Sequence, residues 1–276
     1  MSDGSAPARD SGHDGAFGHD GAEGLEHGSA EELEHSAEDP RGAQIARNLA
    51  RVRERIAAAC AAAGRGPDSV GLVAVTKFFP AEDALRLIRH GVRHLGENRD
   101  QEAAPKAAQV REALGEPARP AVSWHFIGQL QTNKARSVVA YADVIESVDR
   151  LKLVAALAAA ADGAGRSPLC LVQVNLDPAA AGRGGAEPGE VERIADAVAL
   201  SRALRLGGLM AVAPLGADPA PAFEQLAAIH AKLRGAHAEA VSLSAGMSGD
   251  LEQAVAVGAT HVRIGSALLG RRPPLR

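Results

Sequence analysis

Eight short apolar runs, each followed by a helical stretch, govern what this chain can become. The strand-like runs lie at 70–76, 93–97, 123–128, 144–148, 169–176, 208–212, 240–245 and 261–265. Helical stretches near 81–90, 99–113, 132–140, 149–162, 188–204, 219–233 and 249–257 separate them, and a short last helix near 266–271 follows the eighth run. None of the runs has the strict alternation of a sheet with one wet face. Each strand is therefore expected to be buried on both faces, as parallel strands covered by helices are. An open doubly wound sheet would place a glycine-rich dinucleotide loop after its first strand; this chain has Lys77-Phe78-Phe79-Pro80 there. The 236 residues from Arg41 onward are close to the ~250 of a typical barrel. The sequence predicts an α/β chain whose body is a single (β/α)8 TIM barrel.

Two segments precede the first strand. Residues 1–41 are mostly Gly, Ala, Ser, His, Asp and Glu, and offer too little apolar surface to offset the entropy of ordering. They are predicted to be a disordered acidic tail, with the barrel domain spanning 42–276. Up to Pro40 this tail holds eleven acids and one base, Arg9, which leaves 29 bases and 23 acids for the rest. The irregular spacing of His13, His19, His27 and His35 in such a tail does not make a metal site. From Arg41 the pattern turns helical: Ile45, Leu49, Val52, Ile56 and Cys60 recur every three or four residues until Gly64.

Composition removes several function classes. Aromatics are 3% of the chain, so the core is built from Ala, Leu, Val and Ile, and no basic stripe with aromatics suggests nucleic acid. The two cysteines, Cys60 and Cys170, are too few for a disulfide framework and read as buried thiols of a reducing compartment. The N-terminus lacks the basic and apolar blocks of a signal peptide, and no apolar run approaches ~18 residues. The expectation is a cytoplasmic protein with no membrane contact.

Barrels gather their chemistry at the C-terminal ends of the strands. Those ends read Lys77, Glu97-Asn98, His125 with Gly128, Ser147, Asn175, Met210, Ser244, and Arg263 with Gly265-Ser266. The last two strands are where barrels most often bind phosphate, and glycines there let backbone N–H groups approach the anion. Lys77 has two readings. It is a cap with its charge in water, or, desolvated by barrel walls, an amine that forms an imine with an aldehyde. Arg263 is either a salt-bridge partner for Glu97 or Asp250, or an anion-recognising guanidinium. Ser244 and Ser266 suit helix capping and phosphate contact alike. His125 reads as a hydrogen-bonded barrel histidine or a base, and Lys134 as a solvated helix residue or a second anion contact.

The motifs together resemble one family. Leu72-Val-Ala-Val-Thr-Lys77, Leu95-Gly-Glu-Asn98, Trp124-His-Phe-Ile-Gly-Gln-Leu-Gln-Thr-Asn-Lys134, Val172-Gln-Val-Asn175, Leu243-Ser-Ala-Gly-Met-Ser248 and Val262-Arg-Ile-Gly-Ser-Ala-Leu-Leu-Gly270 are similar to the pyridoxal phosphate homeostasis proteins. That family's barrel is of the alanine racemase N-terminal type. The resemblance covers essentially all of 41–276. It implies that Lys77 forms an aldimine with pyridoxal 5′-phosphate (PLP), that Arg263 faces the pyridine nitrogen and that Asn98 lies beside the ring. Ser244, Gly246, Gly265 and Ser266 are then expected to hold the phosphate. Ser266 stands where the family often has Thr, and the loop after Asn175 lacks a lysine that many members carry.

The same resemblance separates carrier from enzyme. An arginine at the pyridine nitrogen weakens carbanion stabilisation, and alanine racemases add a second base, a tyrosine from a partner subunit. The single tyrosine, Tyr141, precedes the fourth strand, away from the mouth, which leaves His125 as the one candidate base there. The expectation is a monomeric PLP-binding protein that stores, buffers or delivers the cofactor to apo-enzymes, without robust turnover. The alternatives are a PLP-dependent racemase and a barrel that binds phosphate esters without PLP.

Overall fold

A computed structural model describes residues 39–115, 122–177 and 184–271, and Asp39–Arg276 forms one compact unit. The tail predicted over 1–41 lies outside the described residues except for its last three. Those three belong to the body: helix α1 (Pro40–Ala62) is capped by Asp39, whose carboxylate accepts the Gly42 N–H at 3.0 Å. Asp39 also pairs with Arg86 at 2.8 Å, and Arg41 pairs with the buried Asp83 at 2.6 Å. A cap and two ion pairs thus tie Asp39 and Arg41 into this unit.

The eight strands are β1 (Gly71–Val75), β2 (His94–Glu97), β3 (Ser123–Phe126), β4 (Val144–Val148), β5 (Leu169–Val174), β6 (Arg205–Ala211), β7 (Ser242–Ser244) and β8 (His261–Ile264). All neighbours are parallel, and β8 pairs with β1 to close the barrel in chain order. Helices α2 (Ala81–Arg89), α3 (Asp100–Leu114), α4 (Ala135–Tyr141), α5 (Leu151–Ala164), α6 (Val191–Ala199), α7 (Pro219–Ala236), α8 (Leu251–Ala256) and α9 (Ser266–Leu269) follow the strands in turn.

The main apolar core lies between the strands and this helical layer. Helix α1 contributes Ile45, Leu49, Val52 and Ile56 to it, the residues its spacing singled out. It covers the seam where the barrel closes, with Asn48 donating to the Leu268 carbonyl at 2.9 Å and Arg55 paired with Glu252. Two expected boundaries shift. The helix predicted over 188–204 ends at Ala199, and the strand predicted from 208 begins at Arg205. Gly207-Gly208 hid that start: Gly208 has φ 141°, and the β5–β6 register slips opposite it, so the strand bends where a side-chain pattern would announce it. Cys60 and Cys170 are both free and buried. Among the described residues no helix is long and apolar enough to cross a membrane.

Candidate functional site

Lys77 stands just past β1, half-buried, in a tight turn closed by the Phe79 N–H donating to the Thr76 carbonyl at 3.1 Å. The next residue, Phe78, has φ 70°, the one positive φ at a non-glycine position among the described residues. Strain of this kind persists only where the surroundings over-determine it, and it gathers at functional turns. Arg99 stacks over the Phe78 ring at 5.3 Å, and the Phe78 N–H donates to Glu102 at 3.3 Å.

The next strand in the barrel wall brings Arg263. Its Nη1 donates to Ser244 Oγ at 2.7 Å and its Nη2 to the Ala211 carbonyl at 2.7 Å. Ala211 and Ser244 end β6 and β7, so the guanidinium reaches the level of the C-terminal strand ends. Burial pushes its pKa down, while Glu146 and Asp250 oppose that shift. The salt bridge expected with Glu97 or Asp250 is replaced by one with Glu146, whose Oε2 lies 3.8 Å from Nη1.

Two glycine turns flank Arg263. Gly246, between β7 and α8, has φ 91°, and a Cβ there would lie 2.7 Å from the Ala254 Cβ. Only glycine fits. Its carbonyl accepts the Arg263 N–H at 2.9 Å, and Arg55 of α1 holds the Ser248 carbonyl at 2.6 Å. At Gly265 a Cβ would sit 3.3 Å from the Val75 carbonyl oxygen, so the turn after β8 packs directly on the strand that carries Lys77. Ser266 opens α9 and is exposed. Asn98 follows β2, and its Oδ1 is buried with no hydrogen-bond partner among the described residues. Lys77, Asn98, Gly246, Arg263, Gly265 and Ser266 thus share one rim sector, built by the consecutive strands β7, β8, β1 and β2.

Ser244, also expected at the phosphate, ends β7 inside the barrel. It is fully buried, and its hydroxyl is committed to Glu146 Oε2 at 2.7 Å while accepting from Arg263. His125 is not a mouth base. Its Nδ1 meets Glu146 Oε1 at 2.6 Å and its Nε2 meets His94 Nδ1 at 3.0 Å, inside the barrel. Tyr141 ends α4, on the far side from the rim, since a helix that follows one strand ends near the start of the next; burial raises its phenol, and the hydroxyl has no partner among the described residues.

Sequence reading missed Glu146. The signal was an acid at the centre of Val144-Ile-Glu-Ser-Val148, whose five residues are all buried. Burial raises its carboxyl, but the hydrogen bond from His125, the charges of His125 and Arg263, and the Ser244 hydroxyl outweigh that and hold it at about 2. His94 and His261 open β2 and β8, with ring centroids 5.9 Å apart. Desolvation, then neighbouring imidazoles, lower His94 to about 3 and His261 to about 4. Glu97 has a structural part: Lys106 donates to its Oε1 at 2.5 Å and Thr76 at 2.7 Å. Lys134 pairs with Asp100 at 3.6 Å. Asn175 joins Glu187 at 3.1 Å, beside a recess of about 210 Å³ at the ends of β5 and β6. Most of the loop that follows, residues 178–183, lies outside the described residues.

Comparison with known proteins identifies the family of this barrel. Residues 43–273 match the alanine racemase N-terminal domain family. A pyridoxal phosphate homeostasis protein of Mycobacterium leprae is 45% identical over 241 residues, 83% of this chain and 93% of the relative. One from Escherichia coli K12 is 39% identical, covering 83% of this chain and 97% of the relative. PipY of Synechococcus elongatus, solved with PLP bound, superposes with a TM-score of 0.71 at 35% identity, covering 82% of this chain and all of that one. The chain belongs to the pyridoxal phosphate homeostasis protein family, built on the alanine racemase N-terminal barrel.

Proposed function

We propose that this protein holds PLP through the Lys77 amine and serves the cofactor's homeostasis by storage, buffering or delivery, without robust turnover. Bound there, the cofactor supplies an aldehyde that an amine can capture and a ring that withdraws electrons from what it binds. The residues present suit such a group. A lysine and two glycine turns on adjoining strands give an amine and an anion cradle on one side of the rim. Asn98 Oδ1 is a buried acceptor without a partner among the described residues, a group that a ligand donor would satisfy. Arg263 directs its guanidinium to the level of the rim. In this reading Lys77 would bind the aldehyde carbon, Gly246, Gly265 and Ser266 would hold the phosphate, Asn98 would flank the ring and Arg263 would face the pyridine nitrogen.

One observation carries the reading: the Gly265 turn packs on Val75, two residues before Lys77. The backbone that carries the amine and the turn offered as cradle are therefore in direct contact. The case against turnover rests on proton transfer. A racemase needs a second base at the mouth, and His125 has both ring nitrogens engaged inside the barrel while Tyr141 lies at the opposite end. The same reading has the protein act as a cytoplasmic monomer, with apo-enzymes as recipients.

The test is the absorption spectrum of the purified protein with PLP, before and after borohydride. A visible band that reduction bleaches, with a pyridoxyl-phosphate mass on the Lys77 peptide and none in Lys77→Ala, is the expected result. Protein that stays colourless with added PLP overturns the reading. Exchange of an amino acid's α-proton at enzyme-like rates of about 1–10³ s⁻¹ overturns the carrier part.

A further inference from the structure

Barrel interiors are usually filled by layers of branched apolar side chains. Here Val144, Leu171 and Met210 form a small apolar cluster separate from the main core, and a polar column runs through the same interior. It runs from His94 to His125, then to Glu146, Ser244 and Arg263, and ends on the Ala211 carbonyl, with every link between 2.6 and 3.0 Å. The column draws on β2, β3, β4, β7, β8 and β6. It starts at the first residue of β2 and finishes at the C-terminal strand ends.

Stability does not explain this arrangement. A buried ion pair costs desolvation that apolar packing avoids, and replacing one with well-packed apolar residues is often neutral or favourable. What the column does achieve is geometric. An ionised carboxylate accepts and cannot donate. The Ser244 hydroxyl must therefore point its proton at Glu146, which leaves its lone pairs facing Arg263. Each Glu146 oxygen has its own donor, His125 on one side and Ser244 on the other. With the Ala211 carbonyl taking Nη2, the guanidinium is fixed at both terminal nitrogens.

We propose that Glu146 and Ser244 are positioning residues of the ligand site: they hold the Arg263 guanidinium in place before ligand arrives, and His125 and His94 brace Glu146 from the N-terminal end of the barrel. Only the ligand's identity rests on the PLP reading. A side chain ordered in advance loses less freedom on binding, so the column raises affinity without touching the ligand.

The test compares wild type, Glu146→Leu, Glu146→Gln, Ser244→Ala and the double Glu146→Leu/Ser244→Ala by PLP titration and by crystal structures of the apo proteins. Glu146→Leu and Ser244→Ala are expected to weaken PLP binding roughly tenfold each. The double variant is expected to be no weaker than the weaker single, because both act through one guanidinium. Glu146→Gln keeps a carbonyl oxygen that accepts the Ser244 hydroxyl, and is expected to bind within about threefold of wild type. In apo Ser244→Ala the Arg263 guanidinium is expected to leave its wild-type place. A purely structural column would lower the melting temperature and leave affinity unchanged. That result overturns the proposal, as do single effects that multiply in the double, a Glu146→Gln as weak as Glu146→Leu, or an unmoved guanidinium. If Glu146→Leu does not fold, Ser244→Ala decides by the same two measurements. If wild type takes up no PLP, the cofactor reading fails, and the apo structures still decide the positioning.

Discussion

Glu97 and Glu146 are both fully buried, end or interrupt strands of the same barrel, and titrate in opposite directions. Burial raises Glu97 above the usual carboxylate range despite the Lys106 charge and the hydrogen bonds from Lys106 and Thr76. Those two donors converge on one oxygen, Oε1, and Oε2 has no partner among the described residues. Glu146 spreads its donors over both oxygens and has Arg263 nearby, so its carboxyl falls to about 2. What decides the sign is the balance of burial against partners: His125, Arg263 and Ser244 together outweigh it at Glu146, while at Glu97 Lys106 and Thr76 do not and the Glu102 charge adds to it. Glu97 sits between the wall and α3, where one lysine is available. Glu146 faces the interior, where four strands converge.

The largest break in that comparison comes from Lys106. Lys106→Met leaves Glu97 buried without a cation, which costs about 3–5 kcal/mol at neutral pH. A raised carboxyl relieves its own burial by taking a proton, so the cost shrinks as pH falls toward the raised value. Urea unfolding of Lys106→Met at pH 7.5 and pH 5.5 checks this. A cost that is the same at both pH values would mean Glu97 does not behave as a strained acid. Glu97→Leu combined with Lys106→Met is expected to recover most of the loss.

How far these two acids were legible in the sequence differs for a physical reason. The α1 stripe and the strand–helix alternation could be read because each depends on local period, and Lys77 and Arg263 could be placed at strand ends by position alone. The Lys106 partner of Glu97 lies only nine residues on, in the helix that follows its strand. Glu146 depends on Ser244, 98 residues away, and on Arg263 beyond it. They meet only when β8 closes on β1, and no local pattern encodes that closure. The strand start at Arg205 was hidden for a more local reason: Gly207 and Gly208 carry no side chain to show a pattern.

The histidines sharpen the comparison at milder pH. His94 and His261 are lowered to about 3 and about 4, so the folded barrel keeps them neutral while the unfolded chain protonates near 6.5. The unfolded state then binds more protons below 6.5. Stability is fully present above that value and is lost as pH falls toward 4, by at most about 1.4 kcal/mol per pH unit for each histidine. The Glu146 contribution is lost later, between about 4.5 and 2. Melting curves from pH 7 to pH 5 separate the two: His261→Gln is expected to flatten the slope in that range. An unchanged slope would assign the acid sensitivity elsewhere.

The smallest effect is expected at Tyr141, and it bears directly on carrier against enzyme. Its hydroxyl is buried at the end of α4, near Glu97 and Asp100, with no hydrogen-bond partner among the described residues. Burial and those two acids all raise the phenol, which therefore keeps its proton throughout the accessible range. A group that cannot lose its proton cannot serve as a base, and a hydroxyl without a partner gives the fold little. Tyr141→Phe is accordingly expected to change stability by less than about 1 kcal/mol, and toward greater stability if at all. PLP uptake and any residual α-proton exchange, followed by deuterium incorporation into alanine, should match wild type. A variant that binds PLP normally but loses exchange would make Tyr141 a working acid or base. The barrel would then have to open between the start of β4 and the rim, which the His125–Glu146–Ser244 column, with its partners fixed on neighbouring strands, does not allow.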